Sequence, residues 1–166
     1  MQNFFEYFDL PCQFVVNKNL LETKYYQLQN QHHPDGCSEV KITDFPIENP
    51  IEKINEAYQI LSNDLSRAVY LLKLNKIDIT AEDCYVKVSA TELANIFLLQ
   101  EEIEENKQDA TKLKQMLADI DNDINKLVVE SMQIYQSNIE ESAQKLIIAR
   151  YFFNNKQKIK QYIGKI

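Results

Sequence analysis

Asn17-Lys18-Asn19-Leu20-Leu21-Glu22-Thr23-Lys24-Tyr25-Tyr26-Gln27-Leu28-Gln29-Asn30-Gln31-His32-His33-Pro34-Asp35 reads as a helix with a built-in stop. Asn17 suits an N-cap, and Leu21, Tyr25 and Leu28, with His32 one turn further, follow the helical period. Pro34 must end the helix: it donates no backbone hydrogen bond and drives His33 out of the helical region. His33-Pro34-Asp35 is therefore expected on an exposed helix-to-loop transition, with a polar loop over residues 36–50 that contains Gly36, Pro46 and Pro50. Beyond Pro50, Ile54, Ala57, Tyr58 and Leu61 form an apolar stripe, and after a break near Asn63-Asp64 a second stripe follows at Leu65, Ala68, Val69 and Leu72. The stripe of the first helix and that of Ile54–Leu61 predict an antiparallel hairpin.

The flanks extend this helical pattern in both directions. At the start, Asn3 with Glu6 three residues on forms a capping box for a short helix that Pro11 interrupts. Residues 76–88 lack a helical period and are taken as a connector. Ser89-Ala90-Thr91-Glu92 is a second capping box and opens an acidic helix to about Lys107. Two amphipathic helices follow, over about 109–136 (Leu113, Leu117, Ile120, Ile124, Leu127, Val128) and 139–163 (Ala143, Leu146, Ile147, Phe153), the second capped by Asn138. Short connections make these three helices an antiparallel bundle. The fold is predicted to be all-α, with a helical hairpin and flanking short helices over 1–75 and a three-helix bundle over 89–166.

Composition narrows the function. Two Gly in 166 residues admit neither common glycine-rich phosphate-binding loop. The net charge of −7 opposes nucleic-acid binding. Lys156, Lys158, Lys160 and Lys165 form a basic end, better read as a solvated helix terminus than as an RNA contact. The start resembles no secretory signal, no apolar run is long enough to span a membrane, and the three cysteines form neither a disulfide framework nor a metal pair. A cytoplasmic location, with no membrane partner, is expected. Both histidines lie at 32 and 33, so neither a di-iron bundle nor a nucleophile–histidine hydrolase is supported. Adjacent helical residues diverge by about 100°, which also argues against His32 and His33 as joint metal ligands. No catalytic residue, metal or cofactor is expected.

Two features then point to docking. His33-Pro34-Asp35 is expected by chance in about one chain in a hundred of this length. Its proline holds Asp35 outside the helix, where the carboxylate can accept charge-assisted bonds from an arginine of another protein. On the acidic helix, turning about 100° per residue from Ala94, Ile96, Leu99 and Ile103 share one face, suited to packing. Ala94, Phe97, Leu98, Glu101 and Glu105 share the opposite face, where large apolar groups are expected at an interaction surface; the alternative is that Phe97 and Leu98 pack under the connector or against the first domain.

The helix, His33-Pro34-Asp35, loop and returning helix resemble a J-domain. Ile54-Asn55-Glu56-Ala57-Tyr58-Gln59-Ile60-Leu61 with Ser66-Arg67-Ala68-Val69-Tyr70-Leu71-Leu72, and Leu99-Gln100-Glu101-Glu102-Ile103-Glu104-Glu105 further on, are similar to the HscB family of J-type co-chaperones. The resemblance covers nearly the whole chain. It implies a J-domain over 1–75, a client-binding bundle over 89–166, a DnaK-type chaperone partner (HscA) and a client, the iron–sulfur scaffold IscU. It implies chaperone contacts at His33, Pro34 and Asp35, aided by Lys24, and client contacts at Leu93, Phe97, Leu98, Glu101, Glu105 and Tyr151. The absence of a Cys-bearing N-terminal extension fits the bacterial type. Asp64 stands where the family commonly has proline, and Asn30 and Gln31 stand where J-domains carry positive charge. The alternatives are a J-domain protein with another client and a structural helical adaptor.

Overall fold

The computed structural model describes residues 3–32 and 50–165. His33, Pro34 and Asp35 lie outside the described residues, as does the side chain of His32. Among the described residues seven helices follow in order: α1 (Phe4–Tyr7), α2 (Lys18–His32), α3 (Pro50–Ser62), α4 (Asp64–Leu74), α5 (Ala90–Glu105), α6 (Ala110–Ile134) and α7 (Ile139–Ile163). The chain divides into two compact units, Met1–Arg67 and Ala68–Ile166, with the division inside α4.

Local chemistry accounts for where the helices of the first unit begin and end. The Asn3 side chain accepts from the Phe5 and Glu6 amides, and Glu6 reaches back to Asn3, so the expected capping box is complete. Asn17 accepts from the Leu20 amide at 3.1 Å and caps α2. Asn63, not a proline, opens α4 by accepting from the Ser66 amide at 2.9 Å. Tyr25 of α2 stacks on Tyr58 of α3 at 4.0 Å, and its hydroxyl donates to Asn55 at 2.9 Å. Gln29, one turn later on α2, also reaches Asn55, one turn earlier on α3. This opposite progression is that of antiparallel helices. Phe5, Phe8, Leu10, Leu21, Ile54, Ala57, Leu61 and Leu65 are buried and form the core of this unit.

In the second unit the three long helices form the bundle. Lys145 pairs with Glu130 and Lys156 with Asp121, so α6 and α7 run antiparallel. Gln144 meets the Lys87 carbonyl just before α5, whereas Lys158 and Tyr162 meet Glu104 near its end, so α5 and α7 run parallel. Leu113, Ile120, Ile124 and Val128 of α6 are buried as expected, and Leu117 and Leu127 half-buried. On α7 the expected face needs correction. Ala143 and Leu146 are buried, but Ile147 is only half-buried and Phe153 is 37% exposed. Ser142, Ile148, Ala149, Asn155 and Ile159 are buried in their place. A single stripe is the pattern of a helix with one neighbour, and α7 packs on both α5 and α6. The connector is pinned to the same helix: Arg150 donates to the Ile79 carbonyl at 2.7 Å, and Ile77, Ile79 and Val86 are buried.

Candidate functional site

The opening of α5 is fixed by Ser89, whose hydroxyl accepts from the Glu92 amide at 3.2 Å while Glu92 reaches back to the Ser89 amide at 3.1 Å. Asn106 ends the helix by donating its backbone N–H to the Glu102 carbonyl, two residues before the expected end. Between these caps the two faces separate as the wheel requires. Ile96 and Ile103 are buried at 2% and 0% exposure, and Leu99 is half-buried. Phe97 and Leu98 are each 62% exposed, and Glu101 and Glu105 are also exposed. Burying either apolar side chain in a contact is worth about 1.5–3 kcal/mol, so leaving both in water is unfavourable unless a partner covers them.

Beside this ridge lies an open groove lined by Phe97, Gln100, Glu101, Glu104, Glu105 and Lys158. It gathers three of the residues singled out from sequence. Leu93, half-buried, and the exposed Leu98 stand on α5 outside the groove lining. Tyr151 of α7 is 39% exposed. The parallel register that pairs Glu104 with Lys158 puts Tyr151, seven residues back, level with Phe97, likewise seven back.

The groove has an internal charge arrangement that the wheel did not reveal. Glu104 pairs with Lys158 and accepts from the Tyr162 hydroxyl at 2.6 Å. The hydrogen bond from Lys158, then that from Tyr162, holds the Glu104 carboxyl down at about 2. Gln100, Glu104 and Lys158 were missed as groove residues because the α7 partner is far away in sequence. Only the parallel placement of α5 and α7 brings it near.

On the first unit, Lys24 is half-buried and its ammonium is 2.8 Å from Asp9. Asp9 itself has a positive φ of 43° at the end of α1. The amides of Asp9 and Leu10 bond back to Glu6 and Phe5, a Schellman closure achieved without glycine. Of the basic end, Lys158 is engaged as above and Lys156 pairs with Asp121, which leaves less free positive charge than the sequence suggests. Among the described residues no cluster of metal-ligating side chains occurs, and no helix is long and apolar enough to cross a membrane.

No protein-family model matches the chain. The co-chaperone protein HscB of Buchnera aphidicola subsp. Acyrthosiphon pisum is 32% identical over 151 residues, 88% of this chain and 83% of its own. The co-chaperone protein HscB homologue of Vibrio vulnificus is 40% identical over 81 residues, 48% of this chain, and the match spans about half (47%) of that relative's length. Among solved structures, the human co-chaperone protein HscB superposes with a TM-score of 0.80 at 29% identity, covering 100% of this chain and 83% of that one. The Jac1 co-chaperone of Saccharomyces cerevisiae, at 22% identity and a TM-score of 0.79 over 97% of this chain and 94% of its own, shares the fold.

Proposed function

The chain belongs to the HscB family of J-type co-chaperones, and from that membership we propose that it binds the scaffold protein IscU, delivers it to the DnaK-type chaperone HscA and stimulates that chaperone's ATPase during iron–sulfur cluster assembly. In this scheme residues 1–75 are the J-domain, 76–88 the connector and 89–166 the client-binding bundle. His33, Pro34 and Asp35 dock the chaperone with help from Lys24. Leu93, Phe97, Leu98, Glu101, Glu105 and Tyr151 hold the client. The protein performs no chemistry itself, binds neither nucleic acid nor membrane, and works in the bacterial cytoplasm.

The observation that carries the client assignment is the second face of α5. Phe97 and Leu98 stand 62% exposed beside two exposed carboxylates, on a helix whose opposite face already packs on the bundle. A client that covers them gains apolar burial, and the flanking charges restrict which client fits. Calorimetric titration of purified IscU into the full chain tests this. Phe97→Ala with Leu98→Ala, folded by circular dichroism, is expected to weaken binding by about 2 kcal/mol or more. Unchanged affinity rejects the ridge as the contact. If wild type fails to bind IscU yet stimulates the ATPase, the J-domain serves a different client.

A further inference from the structure

The four carboxylates at the end of α5 are not equivalent. Glu102 pairs with Lys112 at 2.9 Å. Glu104 is enclosed by three groups: Lys158, the Tyr162 hydroxyl at 2.6 Å and Lys107 at 3.6 Å. Lys158 also lies over the Tyr162 ring, 5.9 Å from its centroid, which closes the cluster. Glu101 and Glu105 have no ion-pair partner among the described residues, although both line the groove beside Phe97. They stand one helical turn apart, about 6 Å at the Cβ atoms, where two like charges repel and favour a shared cation.

Among the described residues Lys158 is the sole cation of the groove lining, against the carboxylates of Glu101, Glu104 and Glu105, for a net of two negative charges. We infer that Lys158 sets the charge of this groove and so its specificity: by closing Glu104 into the ion cluster, it leaves Glu101 and Glu105 as the carboxylates offered to an occupant. The matching occupant is a client segment that places an apolar side chain on Phe97 and a cation between those two glutamates. This inference rests on the client role proposed above. Lys158 acts through Glu104, so it is a positioning residue.

Two variants of the full chain separate charge-setting from simple bracing of α5 on α7. Lys158→Met frees Glu104 and makes the groove more negative; Glu104→Gln frees Lys158 and makes it less so. Both open the same ion cluster. In titrations with IscU at low and high salt, Lys158→Met is expected to tighten low-salt binding roughly threefold and steepen its salt dependence, the size expected of one charge across a solvated contact. Glu104→Gln is expected to weaken binding by a similar factor and flatten the salt dependence, and Lys158→Arg to behave as wild type. Thermal melts by circular dichroism establish that each variant is folded. Equal-direction changes in the first two variants, or no change in either, overturn the inference while leaving the client role intact. Failure of wild type to bind IscU removes the client role, and this inference with it.

Discussion

At Arg67 the guanidinium is 3% exposed and uses three donors at once. Nε donates to the Phe14 carbonyl at 2.7 Å, Nη1 to the Leu61 carbonyl at 2.5 Å and Nη2 to the Asp64 carboxylate at 2.6 Å, with the Phe14 ring against its face. One side chain thus ties the segment before α2 to the end of α3 and the start of α4. Arg67→Met keeps the volume but leaves two carbonyls and a carboxylate without this partner, and is expected to cost about 3 kcal/mol in urea unfolding. Retention of wild-type stability contradicts this assignment. Nothing in the sequence marked Arg67 as buried, because arginine is nearly always exposed and its three acceptors come from separate segments. Lys76 is the opposite case. It closes α4 with a φ of 65°, while the Lys76 and Ile77 amides bond back to Lys73 and Leu72 in a Schellman motif. That conformation costs a residue with a Cβ about 1–2 kcal/mol. Lys76→Gly is therefore expected to raise stability by about 0.5–1 kcal/mol, measured by the same unfolding assay.

Among the elements, those whose ends carry their own chemistry were the most legible. The boxes Asn3/Glu6 and Ser89/Glu92 and the caps Asn17 and Asn138 sit where the sequence placed them, since each closes over three residues and needs no distant partner. The connector was the least legible. Its order comes from α7, through Arg150 and Gln144, and from Asp78, which accepts from the Thr80 hydroxyl and amide and pairs with Lys73 at 3.0 Å. The Thr80 hydroxyl, then Lys73, holds the Asp78 carboxyl at about 2, below its ordinary 3.8. A depressed carboxylate contributes stability that is present above the unfolded value and is lost as pH falls through the folded one. Asp78→Asn is expected to lower stability by about 1 kcal/mol near neutrality, discounted for solvent screening. The gap to wild type should shrink as pH drops from about 5 toward 2, followed by unfolding at a series of pH values. A gap that persists unchanged at the acid end counts against the assigned hydrogen bonds.

For the whole molecule, the proposed chaperone and client sites fall in the residue ranges of different units. They should therefore be separable. His33→Gln is expected to abolish ATPase stimulation while IscU affinity stays within about 0.5 kcal/mol of wild type, and the Phe97/Leu98 double variant is expected to do the reverse. Loss of both properties in either variant, with folding intact, refutes the division of labour. By itself the sequence determined the helices, the caps Asn3, Asn17, Ser89 and Asn138, and the two-faced character of α5, because helical period and capping are local properties that extend over only a few residues. Only the tertiary structure decided that Arg67 is buried, that α7 is covered on two sides, and which glutamates of α5 are already paired. Each of those depends on groups brought together across long stretches of chain, and a local pattern carries no record of who the distant neighbour is.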